Sequence, residues 1–427
     1  MREKFDFNEK KELLKKHLAA YWEKRLTDET DTQHLRKNQP KWLALFNQLL
    51  ANERFVILAE PVTDKTNVRT SEYYMRYDGV SVFPESLLCD KEGEELIFAN
   101  PMRFPYDADV DKIMPYRCPK EELMFDVPMR SVTSVENDWG KKCHVAQIEE
   151  MERIRLNQER GKYPIENFHY ISTLSEASYY RRKELVFYFP MERAMDFMYS
   201  DVEFEPIVKG VNWLMDKSND QPFSKFTNKI TWEDLGATGS ASFGDEDDLE
   251  DFDIAVIGSL QLLREFRDFL IDGTRHGTFR PYMSHAKRRL RAVNRQIYIA
   301  LIDKHLLFCP FLMPKDTVKD TPLYRAYVEP IKRVGYFEAK VSDDSRNMIC
   351  PSVLKINEIC ELRGDDKMDL PEEMELYIVH GGSRGQFFKD NWLRIHNAVL
   401  CNITPPGGET FQAFLSLGWA DTDLASW

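Results

Sequence analysis

The sequence predicts an α+β protein, a mixed sheet with helices at its centre flanked by a helical N-terminal segment and β-rich regions. Three observations carry this. Near the N-terminus, Leu13, Leu14, Leu18 and Tyr21-Trp22 recur at helical spacing among Lys and Glu. From Phe55 to Pro128, and again from Val334 onward, short apolar runs are bounded by Gly, Pro and Asp-Gly signals. Between them the compact run Ile254-Ala255-Val256-Ile257 precedes a helix pattern with Leu260, Leu263, Phe266 and Leu270 on one face. The expected organisation is a helical segment over 1–52, a β-rich domain over 53–200, a core over 201–325 and a second β-rich domain over 326–427.

Taken in order, the N-terminal helix is followed by a second helical segment, Pro40 to Leu50, carrying Trp42, Leu43, Leu45, Phe46 and Leu49. This amphipathic pair is expected to pack on the main body or on a second subunit, which leaves room for a homo-oligomer. Phe55 to Leu58 reads as a strand, and Asp78-Gly79 inside Tyr73 to Phe83 as a hairpin turn. Leu96 to Phe98 reads as a strand closed by Asn100-Pro101. Glu149 to Arg160 predicts an exposed helix, Leu185 to Pro190 a strand, and Glu192 to Tyr199 and Val202 to Met215 two further helices. Gln296 to Phe311 predicts a hairpin around Asp303-Lys304-His305. Val334 to Val341 alternates as a strand, and Met374 to His380 and Leu393 to Ile403 read as strands. The tail carries Gly407-Gly408 and the apolar patch Phe411 to Leu417, and is expected to dock on the body.

Composition sets bounds on function. With 427 residues, 43% hydrophobic and 12% aromatic, the chain can bury real cores. Its net charge of −13, from 58 basic and 71 acidic residues, argues against a general nucleic-acid coat protein. The seven cysteines are scattered without a C-x-x-C, the pattern of reduced thiols in a cytoplasmic protein. The nine histidines include no H-E-x-x-H. No apolar run is long enough to span a membrane, and the charged N-terminus does not read as a signal peptide, so no membrane partner is expected.

The chemistry concentrates in GATGSASFGDEDDLEDFDIAVIGS, Gly236 to Ser259. Asp251 and Asp253 lie two residues apart as they enter the apolar run, so a strand presents both on one side. Two adjacent carboxylates repel, and a bound Mg²⁺ relieves this with oxygen ligands it prefers. Gly239-Ser240, separated from Asp251 by a gap of ten residues, predicts a turn whose N–H groups and hydroxyl can hold a phosphate. Asp245 to Glu250 is read as a solvated acidic loop. Asp251 and Asp253 are set apart from it because a bare acid pair beside a buried strand is costly.

Gly-Ser, this spacer and Asp-x-Asp-hydrophobic together resemble the signature of the DNA polymerase β-like nucleotidyltransferase superfamily. The resemblance implies that Asp251 and Asp253 bind two divalent ions, Mg²⁺ or Mn²⁺, and that Gly239 and Ser240 hold the triphosphate of an NTP such as ATP. It implies a third carboxylate on a later strand, for which Glu338 is the first candidate and Asp303 the second. The basic stretch Phe279 to Arg295 supplies Lys287, Arg288 and Arg291, with Lys287 and Arg291 on one helical face. These would neutralise the triphosphate or an acceptor's phosphates, or form a solvated face opposite the acidic loop. More loosely, D-G-V-S-V-F (Asp78–Phe83), V-S-D-D (Val341–Asp344) and Cys350-Pro351 resemble archaeal-type nucleotidyltransferase-domain proteins. The implied activity moves NMP from an NTP to an acceptor hydroxyl and releases pyrophosphate. The acceptor stays open among an RNA end, a protein, a second nucleotide and a small molecule. The alternatives are a catalytically inactive nucleotide- or partner-binding module on the same fold, and an interaction protein whose acidic loop recruits a basic partner.

Overall fold

Strand pairing organises this chain, and helices are few among its described residues. The structure is a computed structural model. It describes residues 7–27, 58–63, 68–70, 72–76, 81–103, 133–136, 142–145, 178–181, 185–190, 229–231, 234–238, 251–275, 280–281, 299–300, 307–316, 320, 323–363, 370–378, 385, 387–416 and 424–426. The class is sheet-rich and loosely α+β.

The first part contains helix α1 (Phe7–Thr27) and strands β1 (Glu60–Pro61), β2 (Tyr74–Arg76), β3 (Ser81–Cys89), β4 (Glu95–Arg103), β5 (Thr133–Glu136), β6 (Lys142–Val145), β7 (Ser178–Arg181) and β8 (Leu185–Tyr188). Next come β9 (Leu235–Ala237), β10 (Asp251–Gly258), helix α2 (Leu260–Arg275), β11 (Arg280–Pro281), β12 (Ile299–Ala300) and β13 (Leu307–Pro314). The last part is β14 (Ala326–Arg346), β15 (Ser352–Arg363), β16 (Glu373–Ile378), β17 (Trp392–Thr404), β18 (Phe411–Ser416) and β19 (Leu424–Ser426).

Five of these last strands close on themselves. The 21-residue β14 pairs antiparallel with β17 from Tyr327↔Thr404 to Lys340↔Trp392. Its second half also pairs with β15, from Tyr336↔Arg363 to Arg346↔Val353. β15 continues to β16, β16 runs parallel to β18, and β18 returns antiparallel to β17. The ring is β14-β15-β16-β18-β17 and back to β14, a five-stranded barrel. Register shifts along β14 let one strand bend around it. The alternation of side chains then separates two cores. Phe337, Ala339, Val341, Leu376, Leu393 and Phe414 belong to the core enclosed by the ring. Tyr377 and Leu415, each one residue on from Leu376 and Phe414, face the other way and pack with Val399, Cys401, Leu88 of β3 and Leu96 of β4. Phe337 is fully buried, its ring 4.6 Å from that of Phe414. Phe337→Ala is expected to cost about 3–5 kcal/mol, read as a lowered urea midpoint at unchanged slope.

The N-terminal strands extend this barrel into a twelve-stranded sheet through a parallel pairing of β3 with β14, Leu88↔Ala326 and Cys89↔Tyr327. The 74–83 hairpin forms as expected, with Tyr74↔Val82, and its turn lies outside the described residues. The expected stop at Asn100-Pro101 does not occur, because β4 runs on to Arg103 with Val82↔Pro101 in register. Among the described residues β7 pairs with β4 over Leu96 to Ala99, and Pro101 stands beyond that pairing, toward the end of the strand.

A separate five-stranded sheet has the order β11-β12-β13-β10-β9. The predicted 296–311 hairpin is its β12–β13 pair, with Ile299↔Phe308. Phe311 of this sheet meets Phe83 of β3, ring centroids 5.8 Å apart. Cys89, Cys350, Cys360 and Cys401 are free thiols. Among the described residues no helix is long and apolar enough to cross a membrane. The predicted segments at 40–50, 149–160, 192–199 and 202–215 lie outside the described residues.

Candidate functional site

The acid-bearing strand sits inside its sheet. β10 has β13 on one side, parallel, and β9 on the other, antiparallel. Ile254, Ala255 and Val256 are buried, as expected for a strand covered on both faces. Asp251 and Asp253 occupy its first and third positions, and the two-residue repeat of a strand puts both on one face. β9 runs toward that end of β10: Val256↔Leu235, Ala255↔Gly236, Ile254↔Ala237. The chain therefore leaves β9 beside the acid end, heading for Gly239 and Ser240, which themselves lie outside the described residues.

The other end of β10 turns sharply into α2. At Gly258 an added Cβ would meet Leu262 Cδ2 at 2.8 Å, so only glycine fits without a shift. Ser259 caps the helix, its Oγ accepting from the Leu262 N–H at 3.3 Å and its carbonyl from the Leu263 N–H at 3.0 Å. Leu263, Phe266 and Leu270 are buried, as their spacing predicts. α2 thus fixes the C-terminal end of the acid strand against the sheet.

Arg267 interrupts that apolar stripe, four residues after Leu263, and is 2% exposed. Its Nη1 donates to the Asp344 carbonyl at 3.1 Å and to Asn347 Oδ1. Nε and Nη2 donate to Asp268 Oδ1 at 2.9 and 2.7 Å. The Asp344 carboxylate lies 3.8 Å from Nη1, and the guanidinium stacks over Phe388 at 5.7 Å. Asp344 is itself buried and accepts the Lys389 N–H at 3.3 Å, while Asn347 Nδ2 donates to the Phe387 carbonyl. The same loop receives a third contact from Thr70, whose Oγ1 donates to the Cys350 carbonyl at 2.9 Å. Arg267 thereby ties the helix behind the acid strand to the loop joining β14 and β15. Sequence reading missed this clamp, although a charged residue in the apolar stripe of α2 was a usable signal.

Neighbouring Asp343 is also held by its surroundings. Burial raises its carboxyl, but the Ser345 N–H and hydroxyl, with Lys355 and Arg264, outweigh this and keep it below the usual carboxylate range.

Positions for further ligands can be read from register. On β13 the residues opposite Asp251 and Asp253 are Leu307 and Cys309, and β13 carries no carboxylate at all. Glu338 lies on β14, in the other sheet, in register with Arg394 and Cys360. Its Oε1 accepts from Arg394 Nε at 3.4 Å, an ion pair across adjacent strands. Glu338→Gln is expected to change stability by less than about 1 kcal/mol, read by urea unfolding. Asp303 and the basic residues Lys287, Arg288 and Arg291 lie outside the described residues. Among the described residues no three His, Cys, Asp or Glu side chains gather as a metal site, and the side chains of Asp251 and Asp253 are not part of that set. The donor chemistry, two carboxylates at alternate positions of one strand, suits a hard divalent ion.

Comparison with protein-family models, with curated proteins and with solved structures finds no match for this chain.

Proposed function

We propose that this protein is a metal-dependent nucleotidyltransferase of polymerase β-like architecture. One observation carries the reading: β9 runs antiparallel to β10 and reaches Ala237 opposite Ile254, so the chain leaves β9 beside the end of β10 that bears the two acids. A phosphate-holding turn and a carboxylate pair are useful together only at such a junction. Asp251 and Asp253 would hold Mg²⁺ or Mn²⁺, which when bound neutralises developing charge on the phosphates. Gly239 and Ser240 would hold the triphosphate, with Lys287, Arg288 or Arg291 offsetting its charge. In the reaction an acceptor hydroxyl oxygen bonds to the α-phosphorus. The bond from that phosphorus to the bridging oxygen breaks, pyrophosphate departs with the bonding pair, and the hydroxyl proton passes to solvent.

A second reading, nucleotide binding without turnover, is favoured by a different observation. The parallel neighbour of the acid strand has no carboxylate, and Glu338 is engaged by Arg394 in the other sheet. Pyrophosphate release from each of the four NTPs, with Mg²⁺ or Mn²⁺ and with or without RNA, separates the two. Metal-dependent release supports transfer. Metal-dependent NTP binding without release supports the binding module.

A further inference from the structure

The twelve-stranded sheet has an outward-facing cleft where the N-terminal strands meet the barrel. Its floor is a straight row across four adjacent strands. Glu95 of β4 registers with Cys89 of β3, Cys89 with Tyr327 of β14, and Tyr327 with Thr404 of β17. The residues of opposite parity, Leu96, Leu88, Ala326 and Ile403, are buried in the core behind them. One wall is the β3–β4 turn, with Asp90, Lys91 and Gly93, and the other is Pro405-Pro406 after β17. The cleft encloses about 650 Å³, within the usual range for a small-ligand site.

The turn wall is rigid. Asp90 Oδ1 accepts the Glu94 N–H at 2.7 Å, and Gly93 takes a φ of 80° that suits glycine. Arg325 borders the floor at a φ of 56°, a left-handed conformation that is costly for arginine. It is held there by its N–H to the Leu87 carbonyl at 2.9 Å and by Nε to Glu95 at 2.8 Å. Burial and the adjacent Asp90 carboxylate push the Cys89 thiol up, which argues against a nucleophilic thiolate on the floor. Two groups remain uncommitted among the described residues: Lys91 has no ion-pair partner, and the half-exposed Tyr327 has no hydrogen-bond partner for its hydroxyl. The site thus offers an aromatic side chain, two prolines and, at the rim, a lysine outside any ion pair, beside the carboxylates of Asp90, which accepts the Glu94 N–H, and Glu95, which is paired with Arg325.

We propose that this cleft seats an unstacked base of a single-stranded nucleic acid, the base against Tyr327 and an adjoining phosphate on Lys91. The barrel supports this independently. Its strand order, with third and fifth strands parallel and the first paired to the fourth, is that of the five-stranded Greek-key barrel called the OB fold. Such barrels take oligonucleotides or oligosaccharides on the face of the second and third strands and at two flanking loops, one of them the loop between the fourth and fifth strands; the cleft shares only that loop. Here that loop begins with Pro405-Pro406, one wall of the cleft. The unpaired Lys91 selects the anionic ligand over the neutral sugar. With a net charge of −13, the protein depends on stacking more than on long-range attraction. The proposal names an acceptor class for the transferase reading and rests on it only in that respect. Binding is measured without turnover, so the two fail separately.

The test is fluorescence anisotropy of the full chain with short end-labelled single-stranded RNA and DNA. Wild type is compared with Tyr327→Ala, Tyr327→Trp and Lys91→Glu, with an unlabelled neutral oligosaccharide as competitor. Tyr327→Ala should weaken binding about tenfold, and Tyr327→Trp should retain it. Lys91→Glu should weaken binding and lower the salt slope by about 1. Preference for RNA over DNA, or equal binding of both, would assign the probe within the class. The proposal is overturned if neither strand binds, if the oligosaccharide displaces it, or if binding survives both Tyr327→Ala and Lys91→Glu. Should Tyr327→Ala fail to fold by thermal melting, Lys91→Glu on its exposed turn decides alone.

Discussion

Asp251→Ala/Asp253→Ala should abolish metal-dependent pyrophosphate release, by roughly 10³-fold or more, while the chain stays folded. The size follows from the role: removing groups that stabilise transition-state charge costs catalysis on this scale. Fold retention follows from position. Both acids stand at the N-terminal end of β10, and the buried stretch Ile254 to Val256 that holds the strand between β9 and β13 is untouched. Removing a repulsive pair should even raise stability slightly in metal-free buffer, read as a higher melting temperature. Added Mg²⁺ or Mn²⁺ should raise the melting temperature of wild type and not of the variant. Release that persists in the double variant would sink the transferase reading. A metal-dependent melting shift without release in wild type would leave the binding module.

Arg267→Met should destabilise the protein by about 3–5 kcal/mol, the largest stability effect expected of a single polar substitution here. Arg267 is buried with Asp344, and methionine would leave that carboxylate with only the more exposed Arg264, 3.8 Å away, as a charged partner among the described residues, and would leave the Asn347 side chain without its charged donor. Arg267→Lys should recover little of the loss. An ammonium cannot serve Asp344, Asn347 and Asp268 from one planar fork or stack over Phe388. Arg267→Met/Asp344→Asn should recover part of it, since the stranded charge is gone. Urea unfolding followed at two wavelengths checks this, and a change under about 1 kcal/mol would mean that the clamp is incidental. Because α2 follows the acid strand directly, NTP binding in the surviving folded fraction should weaken as well. A variant that is destabilised but binds NTP normally would confine Arg267 to fold stability.

The effects of Arg267 and of the acid pair are on different footings in the sequence. Local repetition made β10 and α2 legible: a short β-branched run, a Gly-Ser punctuation and an apolar stripe each report on a few neighbouring residues. The same holds for the strands at 334–341, 374–380 and 393–403, where alternation is strong. Pro101 reads as a stop because a proline usually ends a strand, and only the pairing of β4 with β3 carries the strand on to Arg103. Glu338 drew attention as a carboxylate on an alternating strand, and only the register with Arg394 revealed its companion.

From the sequence alone came the α+β class with its β-rich regions, the acid strand and helix α2, because these depend on periodicities within a few residues. The tertiary structure decided the ring closure of β14 with β17, the joining of β3 to β14, and the pairing of Arg325 with Glu95 across 230 positions. No local pattern encodes those partners. Strand pairing is satisfied by the generic N–H and C=O groups that every residue carries, so the choice among strands rests on which apolar faces can be buried together, and that is a property of the whole chain.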